Sequence, residues 1–169
     1  MTECVTQMVE RTLQKRPMVH SITNNVTVND CANIILAAGG SAIMAQDERE
    51  VAEITARSDA LSLNMGALRA QEAMLLAAHA AKRRKRPVIL DPVAAGASRL
   101  RGEMCTRLLE AGLVSVVRGN ASEVWALMTG AQRTLGVEVN ALDQVTEQNL
   151  SESARRVSLF SRETGAVVL

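Results

Sequence analysis

Strand-like and helix-like stretches alternate about six times along this chain, and no other feature constrains its fold as much. A strand, a helix and a second strand in succession return to one sheet in parallel, through a right-handed crossover. The chain therefore reads as α/β, a mostly parallel sheet with helices on both faces. No fixed sequence period runs along it, which argues against a solenoid. The clearest strand is Val88-Ile89-Leu90, a branched apolar run with neither helical nor alternating period. Such a run is expected to be buried on both faces. It stops at Asp91, and Pro92 removes a ladder donor and turns the chain. Ligands of open parallel sheets sit beyond the carboxyl ends of the strands, so Asp91 is a candidate site residue. The competing reading is that Asp91 only starts a turn.

The remaining elements follow from period and punctuation. Val5, Met8, Val9 and Leu13 share one face of an opening helix that Pro17 ends. Met18-Val19-His20 is a short strand leading into the polar loop His20-Ser21-Ile22-Thr23-Asn24-Asn25, which must satisfy its side chains or bind something. A helix from about Asp30 to Ala38 is apolar nearly all round and is expected to be deeply buried. Strands follow at Ser41–Met44, Ala60–Asn64, Leu113–Val117 and Ala166–Leu169. Asp47 with Glu50, and Asn149 with Glu152, have capping-box spacing, and Ser98 is placed to cap another helix. Ala131 to Gln148 is poorly periodic and reads as a long loop.

Composition narrows the function classes. With one Trp, one Phe and no Tyr, there is little for bases to stack on. The net charge of +1 gives no general attraction to nucleic acid or a membrane surface. The basic run Lys82-Arg83-Arg84-Lys85-Arg86 closes a helix, where cations complement the macrodipole. No apolar run reaches transmembrane length, and residues 1–16 lack the unbroken apolar core of a signal peptide. Cys4, Cys31 and Cys105 are odd in number and outside any C-x-x-C pattern, which fits reduced thiols in a cytoplasmic protein. The length suits one domain over residues 1–169.

Polar groups gather at four strand ends: His20–Asn25, Asn64–Gly66, Asp91 and Arg118–Glu123. Two carboxylates with an arginine suggest Mg²⁺ and phosphate. Against this, Asn120-x-x-Glu123 has the spacing of a plain helix N-cap box. Neither a P-loop nor a G-x-G-x-x-G fingerprint is present.

His20-Ser21-Ile22-Thr23-Asn24, followed by Val26-Thr27-Val28-Asn29-Asp30-Cys31-Ala32-Asn33, closely resembles the N-terminal signature of hydroxyethylthiazole kinases. Ala42-Ile43-Met44-Ala45, Asn64-Met65-Gly66, Leu90-Asp91-Pro92-Val93 and Arg118-Gly119-Asn120-Ala121-Ser122-Glu123 resemble later motifs of that family, in the same order. The resemblance implies a ribokinase-like three-layer α/β sandwich. It also implies phosphorylation of the hydroxyethyl group of 4-methyl-5-(2-hydroxyethyl)thiazole by Mg-ATP in thiamine salvage, and a homotrimer with sites at subunit boundaries. By position, Met44, Asn24 and Gly66 correspond to the substrate pocket, Arg118 to the ATP phosphates, and Asp91 and Glu123 to the groups that position Mg²⁺. The alternatives are another ribokinase-like small-alcohol kinase and a non-catalytic remnant.

Three departures qualify the resemblance. Ala67 and Ala94 stand where the family usually has Thr and Gly. The family's Gly-rich turn and catalytic Cys are expected beyond Leu169, so the domain is expected to be incomplete at its C-terminus. No catalytic residue is assigned within it, and residues 1–169 alone are expected to have little kinase activity.

Overall fold

The structure, a computed structural model, describes residues 2–130 and 143–169. Its centre is a sheet of six strands: β1 (Met18–Ile22), β2 (Ser41–Ile43), β3 (Ala60–Asn64), β4 (Val88–Asp91), β5 (Val116–Val117) and β6 (Val167–Val168). They lie in the order β2-β1-β3-β4-β5-β6, and every neighbouring pair is parallel. The helices are α1 (Thr2–Lys15), α2 (Val28–Ala37), α3 (Val51–Arg57), α4 (Gln71–Arg83), α5 (Arg99–Glu110), α6 (Ala121–Thr129) and α7 (Leu150–Thr164). Short 3-10 turns, Leu68–Ala70 and Ala95–Ala97, precede α4 and α5.

Register partners share a face. Leu61, Leu63, Val88, Leu90 and Val117 line one face and are wholly buried. Ala73, Met74, Ala77, Ala78 and Ala81 on α4 and Met104, Cys105, Leu108 and Leu109 on α5 join them in one core. The small alanines let α4 lie close to the sheet. The opposite face corrects the expectation of a strand buried on both sides. Ile89 is 39% exposed there, and its row ends at Val167, also exposed. Among the described residues, no helix seals that face over β4.

A second correction concerns α2. Its sequence is the apolar one expected to be buried, yet none of its residues is buried. Ile34 is 67% and Leu36 55% exposed, and α1 likewise exposes Val5, Met8, Val9 and Leu13. Only one side of α2 meets the sheet edge at β2, so an all-round apolar helix keeps an uncovered side.

The caps divide. Ser98 accepts the N–H of Arg101, and Asn120 and Glu123 form the full reciprocal box. Asp47 instead accepts from Arg49, and α3 starts one turn later without a side-chain cap. Asn149 caps the turn before α7, accepting from Thr146 N, while Glu152 pairs with Arg155 and Arg156. The loop expected from Ala131 lies outside the described residues as far as 142. From Gln144 to Asn149 the chain is non-helical, as expected.

Ala94 has φ +55° and ψ +33°, a left-handed conformation that costs a β-carbon about 1 kcal/mol. It is fixed there by its N–H, which donates to Glu123 Oε1 at 3.1 Å. Ala94→Gly should therefore raise the melting temperature by about 2–4 °C, the shift for about 1 kcal/mol in a domain of this size. An unchanged or lower melting temperature in a thermal unfolding scan would mean that strain is absent here.

Candidate active site

Between β1 and β3 the strand order reverses. β1 leads to β2 on one side, while β3, β4, β5 and β6 follow on the other. Such a reversal splays the loops at the carboxyl ends and opens a crevice between them. Asn24 and Asn64 stand at its two sides, with Asn24 Nδ2 donating to Asn64 Oδ1 at 3.3 Å. Asn24 Oδ1 accepts from the N–H groups of Val26 and Thr27, which folds the loop back as an Asx turn. Asn64 Oδ1 also accepts from Gly66 N at 2.9 Å. A larger residue at Gly66 would crowd both asparagines. A β-carbon would lie 2.7 Å from Asn64 Oδ1 and 3.0 Å from Asn24 Cβ. Thr23, the next residue back, buries its hydroxyl without a partner. Met44 lies half-buried where β2 ends, and Gln46 beyond it donates to the Thr23 carbonyl.

The other half of the row carries charge. Asn64 pairs in register with Asp91, and Arg118 N binds the Leu90 carbonyl, so three successive strand ends adjoin. Asp91 and Arg118 form an ion pair at 3.5 Å, with Asp91 28% and Arg118 72% exposed. Partial burial pushes the Asp91 carboxyl up from its ordinary value, and Arg118 and the Asn64 amide oppose that shift. Glu123 is buried. Its Oε1 takes Ala94 N and its Oε2 takes Asn120 N. Gly119 keeps this packing open, because a β-carbon would come within 3.1 Å of Pro92 Cγ and 3.3 Å of Glu123 Oε2. Asp91, Arg118, Asn120 and Glu123 line a cleft of about 540 Å³. A cleft with an exposed arginine, a partly exposed carboxylate paired to it and one fixed carboxylate suits a phosphate with a hydrated cation.

The six site residues named from the sequence thus fall into two neighbouring groups, Asn24 with Gly66 and Asp91 with Arg118 and Glu123. Met44 joins the first group only through Gln46. Sequence reading missed Arg101, which reaches from α5 to the carbonyls of Met65 and Val93 and braces the exits of β3 and β4. Nothing in its spacing marks that role. Cys31 and Cys105 are free thiols. Burial pushes the Cys105 thiol up to about 12, which makes it inert.

His20 is fully buried, with Nδ1 2.7 Å from Thr55 Oγ1 and Nε2 3.0 Å from the Ala45 carbonyl. Burial lowers its pKa, against smaller raising effects from the Ala45 carbonyl and Glu50. The folded protein therefore binds fewer protons than the unfolded chain below about pH 6.5. This stabilisation is complete above about pH 6.5 and is lost as the pH falls below it, by at most about 1.4 kcal/mol per pH unit. Asp91 has the opposite sign, since a raised carboxyl favours the fold toward acid. Urea midpoints of wild type and His20→Gln at pH 7.5 and 5.5 isolate the histidine. The wild type should lose more stability on acidification than the variant. Equal losses would mean that His20 binds protons equally in the folded and unfolded states.

Three comparisons bear on this geometry. The sequence profile of the hydroxyethylthiazole kinase family matches residues 9–169. The chain is 44% identical over 164 residues to a hydroxyethylthiazole kinase of Clostridium acetobutylicum, covering 96% of this chain and 60% of that protein. It is 48% identical over 155 residues to that of Desulfovibrio desulfuricans, covering 90% and 54%. The solved structure of the Pyrococcus horikoshii hydroxyethylthiazole kinase superimposes with a TM-score of 0.83 at 31% identity, covering 98% of this chain and 59% of that one. The chain thus spans between half and two thirds of the length of these relatives.

Proposed function

This chain belongs to the hydroxyethylthiazole kinase family, and from that premise we propose that its protein transfers the γ-phosphate of ATP to 4-methyl-5-(2-hydroxyethyl)thiazole, a step of thiamine salvage. One observation carries the reading. The crevice at Asn24 and Gly66 and the charged cleft at Asp91 and Arg118 open on the same edge of the sheet, one strand apart. Strands lie about 4.8 Å from their neighbours, so an alcohol in the first and a phosphate in the second come within reach of each other. The orphaned Thr23 hydroxyl supports a polar ligand group in the crevice.

In this reading Met44 supplies an apolar wall for the thiazole, and the Asn24 amide keeps one N–H for it. Gly66 lets the ring approach the backbone. Arg118 leaves Asp91 for the ATP phosphates, which its exposed guanidinium can meet as a fork. Mg²⁺ fits the donor set. Both oxygens of Glu123 already accept backbone N–H groups, so that carboxylate orients water and charge rather than offering a bare ligand. Asp91 is the half-exposed oxygen donor. A cation held there would supply charge neutralisation for the transferring phosphate. The chain's own work is to hold alcohol and phosphate in line and to keep Arg118 and Asp91 facing them.

Residues 1–169 are taken as part of one domain of a cytoplasmic protein. No helix among the described residues is long and apolar enough to cross a membrane. A homotrimer would cover the exposed apolar sides of α1 and α2, and α2 packs at the β2 edge of the sheet. Sedimentation should then give three times the protomer mass, and a monomer at micromolar concentration would remove that assembly.

Phosphorus NMR on the full-length protein with Mg-ATP and the thiazole alcohol tests the reaction. A new monophosphate ester is expected with this alcohol and none with pyridoxal or a hydroxymethylpyrimidine. A preference for either of the latter would favour another ribokinase-like kinase.

A further inference from the structure

We propose that His20 is a positioning residue for the thiazole pocket, holding the segment after β2 through the Ala45 carbonyl so that Met44 and Asn24 keep a fixed separation. The inference rests on the substrate reading above and adds to it a residue outside the pocket itself.

His20 is an unusual occupant for its place. It lies inside β1, in register with Ile43 on one side and Leu61 on the other, where an apolar side chain would fill the space without polar cost. Both its nitrogens are engaged. The Ala45 carbonyl can only accept, so Nε2 carries the proton of the neutral ring. Nδ1 is then an acceptor for the Thr55 hydroxyl, whose single proton lies between His20 Nδ1 and the Val51 carbonyl, each at 2.7 Å. The ring thus ties β1 to α3 and to the segment Met44–Gln46, which is neither strand nor helix.

That segment is held from its other side as well. Gln46 donates its amide to the Thr23 carbonyl, one residue from Asn24. Two polar struts, one from β1 to the β2 exit and one back from that exit to the loop after β1, therefore fix the two loops against each other. Met44 and Asn24 are the residues next to the strut ends. A core without the imidazole would fold the same sheet but leave the Ala45 carbonyl unpaired and the segment free to shift. The charged cleft is held by separate bonds on β4, β5 and α6, so it should not feel the change.

The test is calorimetric titration of the full-length protein with the thiazole alcohol and, separately, with Mg-ADP. His20→Leu should weaken thiazole binding about tenfold and leave Mg-ADP affinity within twofold. His20→Gln, which can still donate to the Ala45 carbonyl, should recover most of the loss. Gln46→Ala, at the less buried strut, should show the same selectivity if His20→Leu does not fold. Hydrogen exchange at Ala45 and Gln46 should quicken in either variant, with or without ligand. Unchanged thiazole affinity in a folded variant, or equal loss for both ligands, would overturn the positioning role. Quickened exchange with wild-type protein that binds no thiazole would leave the strut intact but overturn the substrate reading, and with it the role assigned to His20.

Discussion

Replacing Glu123 with Gln is expected to lower turnover about a hundredfold or more and to destabilise the fold, whereas Asp91→Asn should lower turnover as much without destabilising it. The two carboxylates share a cleft but sit in opposite environments. Glu123 is buried with each oxygen accepting a backbone N–H. The amide of Gln turns an N–H donor toward one of those donors, and a buried unsatisfied group costs about 1–3 kcal/mol. At about 2–4 °C per kcal/mol the melting temperature should fall by several degrees. Asp91 is held charged against partial burial, with its carboxyl pushed up from the ordinary range. Neutral Asn removes that burden, and Arg118, largely exposed, is solvated without it. Turnover is expected to fall in both because the anionic oxygens proposed to hold Mg²⁺ and its water at the phosphate are neutralised, and loss of oriented groups that serve charge neutralisation costs about 10²–10³ in rate. Melting curves and steady-state kinetics on both full-length variants decide the matter. Normal turnover in Glu123→Gln with a lowered melting temperature would leave that residue as a helix cap alone.

Gly66→Val is expected to weaken thiazole binding about a hundredfold while sparing nucleotide affinity. Even the first added carbon would lie 2.7 Å from Asn64 Oδ1 and 3.1 Å from Asn24 Nδ2. Something must move, and overpacking of this kind costs about 1–3 kcal/mol. The yielding groups are the two asparagines, so the bond that spans the crevice breaks and the Asx turn of Asn24 shifts with it. The branched side chain then occupies space proposed for the ring. A loss of thiazole affinity on the order of a hundredfold, about 2.7 kcal/mol, should appear in calorimetry beside an unaltered Mg-ADP titration. Thiazole binding at wild-type strength would place the alcohol elsewhere.

Much of this arrangement was legible in the sequence, because strand-end chemistry is local. Asp91 after three branched apolar residues, Asn64 after Ala60–Leu63 and Arg118 after Val117 each announced a polar exit, and parallel pairing placed them side by side. The Asn120–Glu123 box was readable too, and the structure shows that cap formed, with the Glu123 carboxylate at the wall of the cleft. What the sequence concealed depends on distant partners. The exposure of α2 could not be read from its composition, because apolar residues bury equally well against a core or another subunit. The open row at Ile89 was hidden for the same reason. Hydrogen bonds from Arg101 to Met65 and Val93, and from His20 to Ala45, join residues whose separation carries no periodic signal.

The most direct measurement is a crystal structure of the full-length protein with the thiazole alcohol and a non-hydrolysable Mg-ATP analogue. The thiazole should lie between Asn24, Met44 and Gly66, with its hydroxyl pointing along the strand ends toward a terminal phosphate held by Arg118. Both ligands should be found on the carboxyl edge of the sheet, with the oxygen and phosphorus about 3–3.5 Å apart, as in-line attack requires. Thiazole bound away from the β1–β3 crevice, or phosphate away from Asp91 and Arg118, would contradict the account.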